Sequence, residues 1–153
     1  MRNATVIFCL LIFFASCKKD KYTTAPQLKY LSLRPNALDS RDFTPVYPVL
    51  TFRVTDAEGD IGSKAGTDTA FIYVKSLLTG FSDSLPFPDL ETAGKSNFNA
   101  EVDIDLQRFV KCKSLPGTPL HTDTLYFEIY VKDFEKNKSN VITSEDPVFF
   151  TCF

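Results

Sequence analysis

The chain has one histidine, no tryptophan and one methionine among 153 residues. With a single imidazole, nucleophilic or zinc-dependent catalysis would need an unusual set of residues. The phosphate-cradling Gly-x-Gly-x-x-Gly and P-loop patterns are absent, as are Gly-x-Ser-x-Gly, His-Glu-x-x-His and Cys-x-x-Cys. An enzyme is therefore not expected. Net charge is -2 and the sequence pI is 5.4, so no basic footprint points to a nucleic-acid partner. Glycine is scarce too, at six residues against nine prolines.

What is present belongs to a folded β protein. Hydrophobic residues make up 44% and charged residues 24%, a globular balance, and fifteen Phe with six Tyr favour strands. Apolar residues recur with period two. Leu50, Phe52 and Val54 interleave with Thr51, Arg53 and Thr55. Ala70, Ile72 and Val74 interleave with Phe71, Tyr73 and Lys75, and Val102, Ile104 and Leu106 with acidic partners. The longest such row is Leu125, Phe127, Ile129 and Val131. Each predicts a half-buried strand, and weaker strands are expected over 27–34 and 148–152, with 141–144 opening the last. Turn signals fall at Ala57-Glu58-Gly59-Asp60, Thr79-Gly80, Ala93-Gly94, Leu115-Pro116-Gly117 and Lys136-Asn137. Only 106–111 or 88–93 has room for a short helical turn. Short strands without helical crossovers predict an all-β, antiparallel β-sandwich, with an up-and-down barrel as the competitor.

The first residues differ from the rest. Arg2 precedes an uncharged apolar run over 4–14, long enough for a secretory leader and short of the ~20 residues of a membrane span. Phe14-Ala15-Ser16-Cys17 resembles the bacterial lipobox, departing from it at Phe14. The resemblance implies a leader over 1–16 and lipid on Cys17. Cys17-Lys-Lys-Asp-Lys21 and the following residues look like the tethers of Bacteroidetes-type lipoproteins, which implies a flexible tether over 17–26 and a folded domain over 27–153. Lys18 stands where an Asp would retain an enteric lipoprotein on the inner membrane. The expectation is an outer-membrane lipoprotein, facing the periplasm or the cell surface and touching the membrane through its lipid.

Of the four cysteines, Cys9 would leave with the leader and Cys17 would carry lipid. Cys112 and Cys152 remain, in an oxidising compartment. A disulfide between them would close a loop of about 40 residues, worth roughly 3–4 kcal/mol in the chain-entropy account; the alternative is two buried thiols.

The stretch Phe52-Arg-Val-Thr-Asp-Ala-Glu-Gly-Asp-Ile-Gly62, with Tyr126-Phe-Glu-Ile-Tyr-Val-Lys-Asp133 leading into 135–140, resembles immunoglobulin-like or fibronectin III-like domains of Bacteroidetes lipoproteins. Those domains often carry Phe-x-Val-x-Asp-x-Asp-Gly-Asp-Ile/Leu-Gly, and Glu58 stands where they usually have Asp. The resemblance implies an immunoglobulin-like sandwich of about seven strands and no particular activity. The Trp and inter-sheet cysteine pair of antibody domains are missing.

In such a topology the loops 56–68 and 133–140 emerge at one end. Asp56, Glu58, Asp60 and Asp68 would then meet Asp133 and Glu135, an oxygen-only set suited to Ca²⁺. The spacing is not that of an EF-hand, because Gly59 falls at the fourth position rather than the sixth. In the competing account Asp56 and Asp133 merely cap turns while Gly59 and Gly62 supply positive φ. Glu101, Asp103 and Asp105 share one strand face, expected to be solvated, and His121 is expected to be an exposed loop residue. Phe81, Phe87, Phe98 and Phe134 lie in turn-rich stretches, as loop aromatics for a ligand or as plain core. The favoured function is a non-catalytic binding or structural module at the cell envelope, holding a protein or glycan partner through its loops. A calcium-stabilised adhesion-type domain is the second reading and a small envelope enzyme the last.

Overall fold

The computed structural model describes residues 22–64, 68–88, 96–113 and 119–153. The expected leader over 1–16, the expected lipid site Cys17 and the turn signals at Ala93-Gly94 and Leu115-Pro116-Gly117 lie outside the described residues. The strands are β1 (Gln27–Arg34), β2 (Ala37–Asp39), β3 (Val49–Asp56), β4 (Ser63–Lys64), β5 (Asp68–Thr69) and β6 (Phe71–Ser76), followed by β7 (Ser82–Pro86), β8 (Phe98–Asp105), β9 (His121–Leu125), β10 (Phe127–Lys132), β11 (Ile142–Thr143) and β12 (Val148–Cys152). Among the described residues there is no helix. Strands of five or more residues number seven once β9 and β10, separated by Tyr126 alone, are taken as one run.

One sheet has the order β1-β3-β8 and another β11-β10-β6-β7; β2-β12-β9 form a third and β4-β5 a small ribbon. All these pairings are antiparallel except β12 with β2. β3 lies beside β8 and β10 beside β6, neighbours that are not consecutive in the chain, so the up-and-down barrel does not form. The fold is all-β and sandwich-like. Its single core draws Leu50, Phe52 and Val54 from β3, Ile72 and Val74 from β6, Val102 and Ile104 from β8, and Phe127, Ile129 and Val131 from β10. These are the inward rows of the period-two pattern, and the interleaved residues are partly or fully exposed.

Two strands depart from clean alternation for identifiable reasons. In β1 the pairing with β3 shifts between Tyr30 and Ser32. The bulge reverses parity, so Leu28 and Leu33 both face inward although an odd number of positions separates them. β7 has no apolar row at all, and periodicity does not reveal it. It forms because Gly80, at φ 72°, turns the chain after β6 and aligns Lys75 with Ser82 through to Phe71 with Pro86.

The seam between the sheets is held by side chains. Leu28 N–H donates to Asn140 Oδ1 at 2.6 Å, and Asn140 Nδ2 donates back to the Leu28 carbonyl at 3.0 Å. Asn140 thus stands in for a strand neighbour along β1. Tyr30 OH donates to Asp146 Oδ2 at 2.8 Å on the same side; burial and this contact push its pKa up to about 12. Where β11 and β12 part, Ser144 continues the ladder: Phe127 N–H donates to its Oγ at 3.1 Å, and its own N–H donates to the Phe127 carbonyl at 2.9 Å.

Cys112 and Cys152 are joined, with Cα atoms 5.8 Å apart and a sequence separation of 40. Cys152 pairs with His121 at the start of β9, so the bridge sits at one end of the β9–β10 run. Asp123 Oδ2 supports this end by accepting the Lys113 N–H at 2.8 Å. Urea unfolding of the reduced protein, or of Cys112→Ser with Cys152→Ser, should give a stability about 3–4 kcal/mol below the oxidised protein. Asn140→Ala leaves both Leu28 backbone groups without this partner and should cost about 1–3 kcal/mol in the same assay.

Candidate functional site

The opposite end of the sandwich collects acid. β3 alternates without interruption, so Leu50, Phe52, Val54 and then Asp56 point inward. β10 does the same with Phe127, Ile129 and Val131, and the next inward position is Asp133. Asp56 is 0% exposed and Asp133 1%. Asp56 is the last residue of β3 rather than the first of its loop, while Asp133 opens the turn after β10 as expected, and each continues an inward apolar row. Parity gives their carboxylates no route to bulk water.

Between them comes the loop after β3. Ile61 is wholly buried and pins this loop to the core. Phe134 N–H donates to the Asp60 carbonyl at 3.0 Å, tying it to the turn after β10. The two loops therefore meet at one end, as expected. Each strand-end aspartate also caps its own turn: Gly59 N–H donates to Asp56 Oδ2 at 2.6 Å, and Asn137 N–H to Asp133 Oδ1 at 2.7 Å. Gly59 sits at φ 71°, a left-handed conformation that a side chain would strain.

Turn-capping accounts for half of these oxygens. Asp56 Oδ1, Asp133 Oδ2 and both carboxylate oxygens of Asp60 are buried without a hydrogen-bond partner. Buried polar atoms are normally satisfied, and ionised ones above all. The electrostatics follow from this crowding. Burial, then the Asp60 carboxyl and the charges of Asp60 and Asp133, push Asp56 up to about 7 against the pull of Gly59 N–H. Asp133 is raised by burial and by the charge of Asp60, against hydrogen bonds from Asn137. On the outer side the carboxylate oxygens of Glu58, Asp60 and Glu135 approach within 4.8 Å of one another, with Glu58 and Glu135 exposed.

Of the six residues expected to meet at a Ca²⁺ site, the structure brings Asp56, Glu58, Asp60, Asp133 and Glu135 to this end. Asp68 is in β5, paired with Lys64, and its side chain lies outside what is described. The remaining candidates sort themselves. Cys112, Asp123 and Cys152 cluster, but the two sulfurs are spent on each other. Glu101, Asp103 and Asp105 do form an exposed row, engaged with Arg53, Thr51 and the Gln107 N–H. His121 is not an exposed loop residue: it opens β9, half-buried, with Nε2 3.6 Å from Asp123 Oδ1. Phe87 and Phe98 are core residues and Phe81 and Phe134 pack against the core, which removes the loop-aromatic reading.

A second surface feature was not legible from the sequence. On the outer face of the β11-β10-β6-β7 sheet, Tyr73 and Tyr130 are direct cross-strand partners and stack at 4.6 Å with an interplanar angle of 6°. They line a groove of 440 Å³ with Lys75, Asp83, Glu128 and Lys138 among its walls. Lys138 Nζ lies 4.1 Å from the Tyr130 ring centre, over the ring, and Lys75 pairs with Glu128 at 3.8 Å. Both tyrosines were visible as polar-face positions, but only the register places them side by side.

No protein-family model, curated protein or solved structure matches the chain significantly.

The Asp56 shift has a definite sign. Its folded value of about 7 lies above the ~3.9 of an unfolded aspartate, so between the two the folded chain holds the extra proton. In chelator, this contribution to stability is complete below about pH 4 and lost as pH rises through about 7. Thermal unfolding in chelator should therefore give a lower midpoint at pH 8 than at pH 5, and Asp56→Asn should reduce the difference.

Proposed function

We propose that this chain is a lipid-tethered, non-catalytic binding or structural module of a bacterial cell envelope, with an immunoglobulin-like sandwich as its body. The observation that carries the location is the Cys112–Cys152 disulfide, because such bonds persist where the surroundings are oxidising. It agrees with the leader-like residues 1–16 and with Cys17 as the lipid site. The strand orders β1-β3-β8 and β11-β10-β6-β7 support the immunoglobulin-like reading, since they match the A-B-E and G-F-C neighbours of that topology, with β7 added at an edge.

The surface that supports a binding role is the groove over Tyr73 and Tyr130. Its walls carry both signs of charge, and Lys138 already covers one ring of the stacked pair. A sugar ring would have to displace that ammonium to stack, whereas an extended peptide could pair with Lys75, Asp83 and Glu128 along the walls. A protein partner is thus favoured over a glycan. A second reading, an adhesion-type domain stabilised by a divalent cation, is favoured by the buried carboxylates at the loop end.

Metabolic labelling with a fatty-acid analogue should mark the wild-type chain and leave Cys17→Ala unlabelled; labelling that survives the substitution overturns the tether. A glycan array should stay blank. Glycan binding that disappears in Tyr130→Ala would reverse the order of the two ligand classes.

A further inference from the structure

We infer that the carboxylates of Asp56, Asp60 and Asp133 hold a Ca²⁺ ion that clasps the two sheets together, with Glu58 and Glu135 closing the site toward solvent. The inference does not depend on the lipid tether or on the groove. It begins with the two inward rows. Asp56 terminates the row of β3 and Asp133 the row of β10, so the acids that end them belong to different sheets. Both side chains are essentially without exposure. Each spends one oxygen on a turn amide and keeps the other, Asp56 Oδ1 or Asp133 Oδ2, buried beside Asp60 and accepting no hydrogen bond. Asp60 adds two more buried oxygens of the same kind.

Clusters of surface acid are common and need no ligand. This one differs because its innermost members are fully buried and Asp56 Oδ1, Asp133 Oδ2 and both Asp60 oxygens accept no hydrogen bond, with the Asn137 amide Nδ2 beside Asp133 as the one neighbouring donor to spare. Leaving a buried carboxylate oxygen without a donor is costly, and gathering several carboxylates multiplies the cost through their repulsion. Three solutions exist: a proton shared within the cluster, an ordered water, or a cation. A proton shared between Asp56 and Asp60 neutralises only one of three charges and leaves one Asp60 oxygen and Asp133 Oδ2 without a hydrogen bond. Water supplies two donors and no charge. A divalent cation answers the charge and the lone pairs together.

The donor set selects among cations. All the groups are oxygen, with no imidazole or free thiolate, which sets aside zinc, copper and iron-sulfur chemistry. Three inner carboxylates, with Glu58 and Glu135 whose oxygens lie within 4.8 Å of those of Asp60, supply up to six oxygens before any water is counted. The spacing among Glu58, Asp60 and Glu135 is about twice a calcium–oxygen bond, Asp56 and Asp133 lie behind them toward the core, and Ca²⁺ takes ~6–8 oxygens in irregular arrangements. Mg²⁺ prefers a strict octahedron and keeps several waters, which a site already crowded with protein carboxylates does not accommodate well. The ion would sit at the far end of the β9–β10 run from the disulfide, so each end of the sandwich would have one link across it.

The test is thermal unfolding and calcium titration calorimetry of the full chain at pH 7.5. It compares about 1 mM Ca²⁺, the scale of extracellular calcium modules, with chelator, with Mg²⁺ and with NaCl of matched ionic strength. At about 10-fold above a Kd of about 0.1 mM, Ca²⁺ should raise the wild-type Tm by about 5 °C, with one ion per chain and a smaller response to Mg²⁺. Asp56→Asn and Asp133→Asn should lose most of the rise while melting no lower than wild type in chelator, because each removes a repelling charge. Asp103→Asn, on the exposed face of β8, should respond as wild type does. Equal wild-type melting curves in calcium and chelator overturn the site, as does an undiminished rise in both aspartate variants. A stability that follows pH but not calcium also overturns it, in favour of a shared proton. The wild-type titration decides the matter even where a variant fails to fold.

Discussion

The inward rows of β3 and β10 belong to one core, and each ends in a carboxylate rather than a methyl group. Strand geometry allows nothing else: side chains alternate with period two, so a strand that buries Leu50, Phe52 and Val54 must also bury whatever stands at position 56 if it continues that far. The same holds for position 133 beyond Val131. Apolar burial is worth roughly 25 cal/mol per Å² and sets the register of both strands. The aspartates are carried inward by neighbours that gain more from burial than a single carboxylate loses. The loop after β3, with its Ile61 anchor and its Asp60 carbonyl bonded to Phe134 N–H, then closes over them.

Closure at the two ends uses different chemistry. At the Cys112–Cys152 end the link is covalent, and Asp123 organises the neighbouring backbone. At the acidic end Asp56 and Asp133 each accept one turn amide while their other oxygens and both of Asp60 stay unpartnered, and burial raises the Asp56 carboxyl, so stability there follows proton activity. Between the ends, Asn140 and Ser144 complete ladders that the strands leave open: the Asn140 side chain satisfies both backbone groups of Leu28, and Ser144 satisfies those of Phe127 with its Oγ and its own N–H.

The groove over Tyr73 and Tyr130 lies on the outer face of the β11-β10-β6-β7 sheet, away from the core. It owes its form to register: Ile72 with Val131 and Val74 with Ile129 place the two tyrosines directly opposite each other. The groove and the acidic tip share β10 as a common support, since Asp133 follows directly on that strand.

Most strands were legible because alternation is local: five to eight residues suffice to say that Leu50, Val102 or Ile129 face a core. β7 was not, since Ser82–Pro86 has no apolar row and exists only by pairing with β6. The weakness of β1 in the sequence was a bulge, a feature of its pairing with β3. Pairing of the two remaining cysteines was deducible by elimination. So was the meeting of the two acidic loops, though only through an assumed topology. Burial of Asp56 and Asp133 was implicit in Phe52-x-Val54-x-Asp56 and in Phe127-x-Ile129-x-Val131-x-Asp133, and was hidden by the habit of assigning aspartate to turns. Which rows share a core, which oxygens lack a donor and which tyrosines stack were decided by tertiary structure alone. Those facts depend on register between residues far apart in the chain, and register is settled by the sum of cross-strand packing, not by any one segment's own preference.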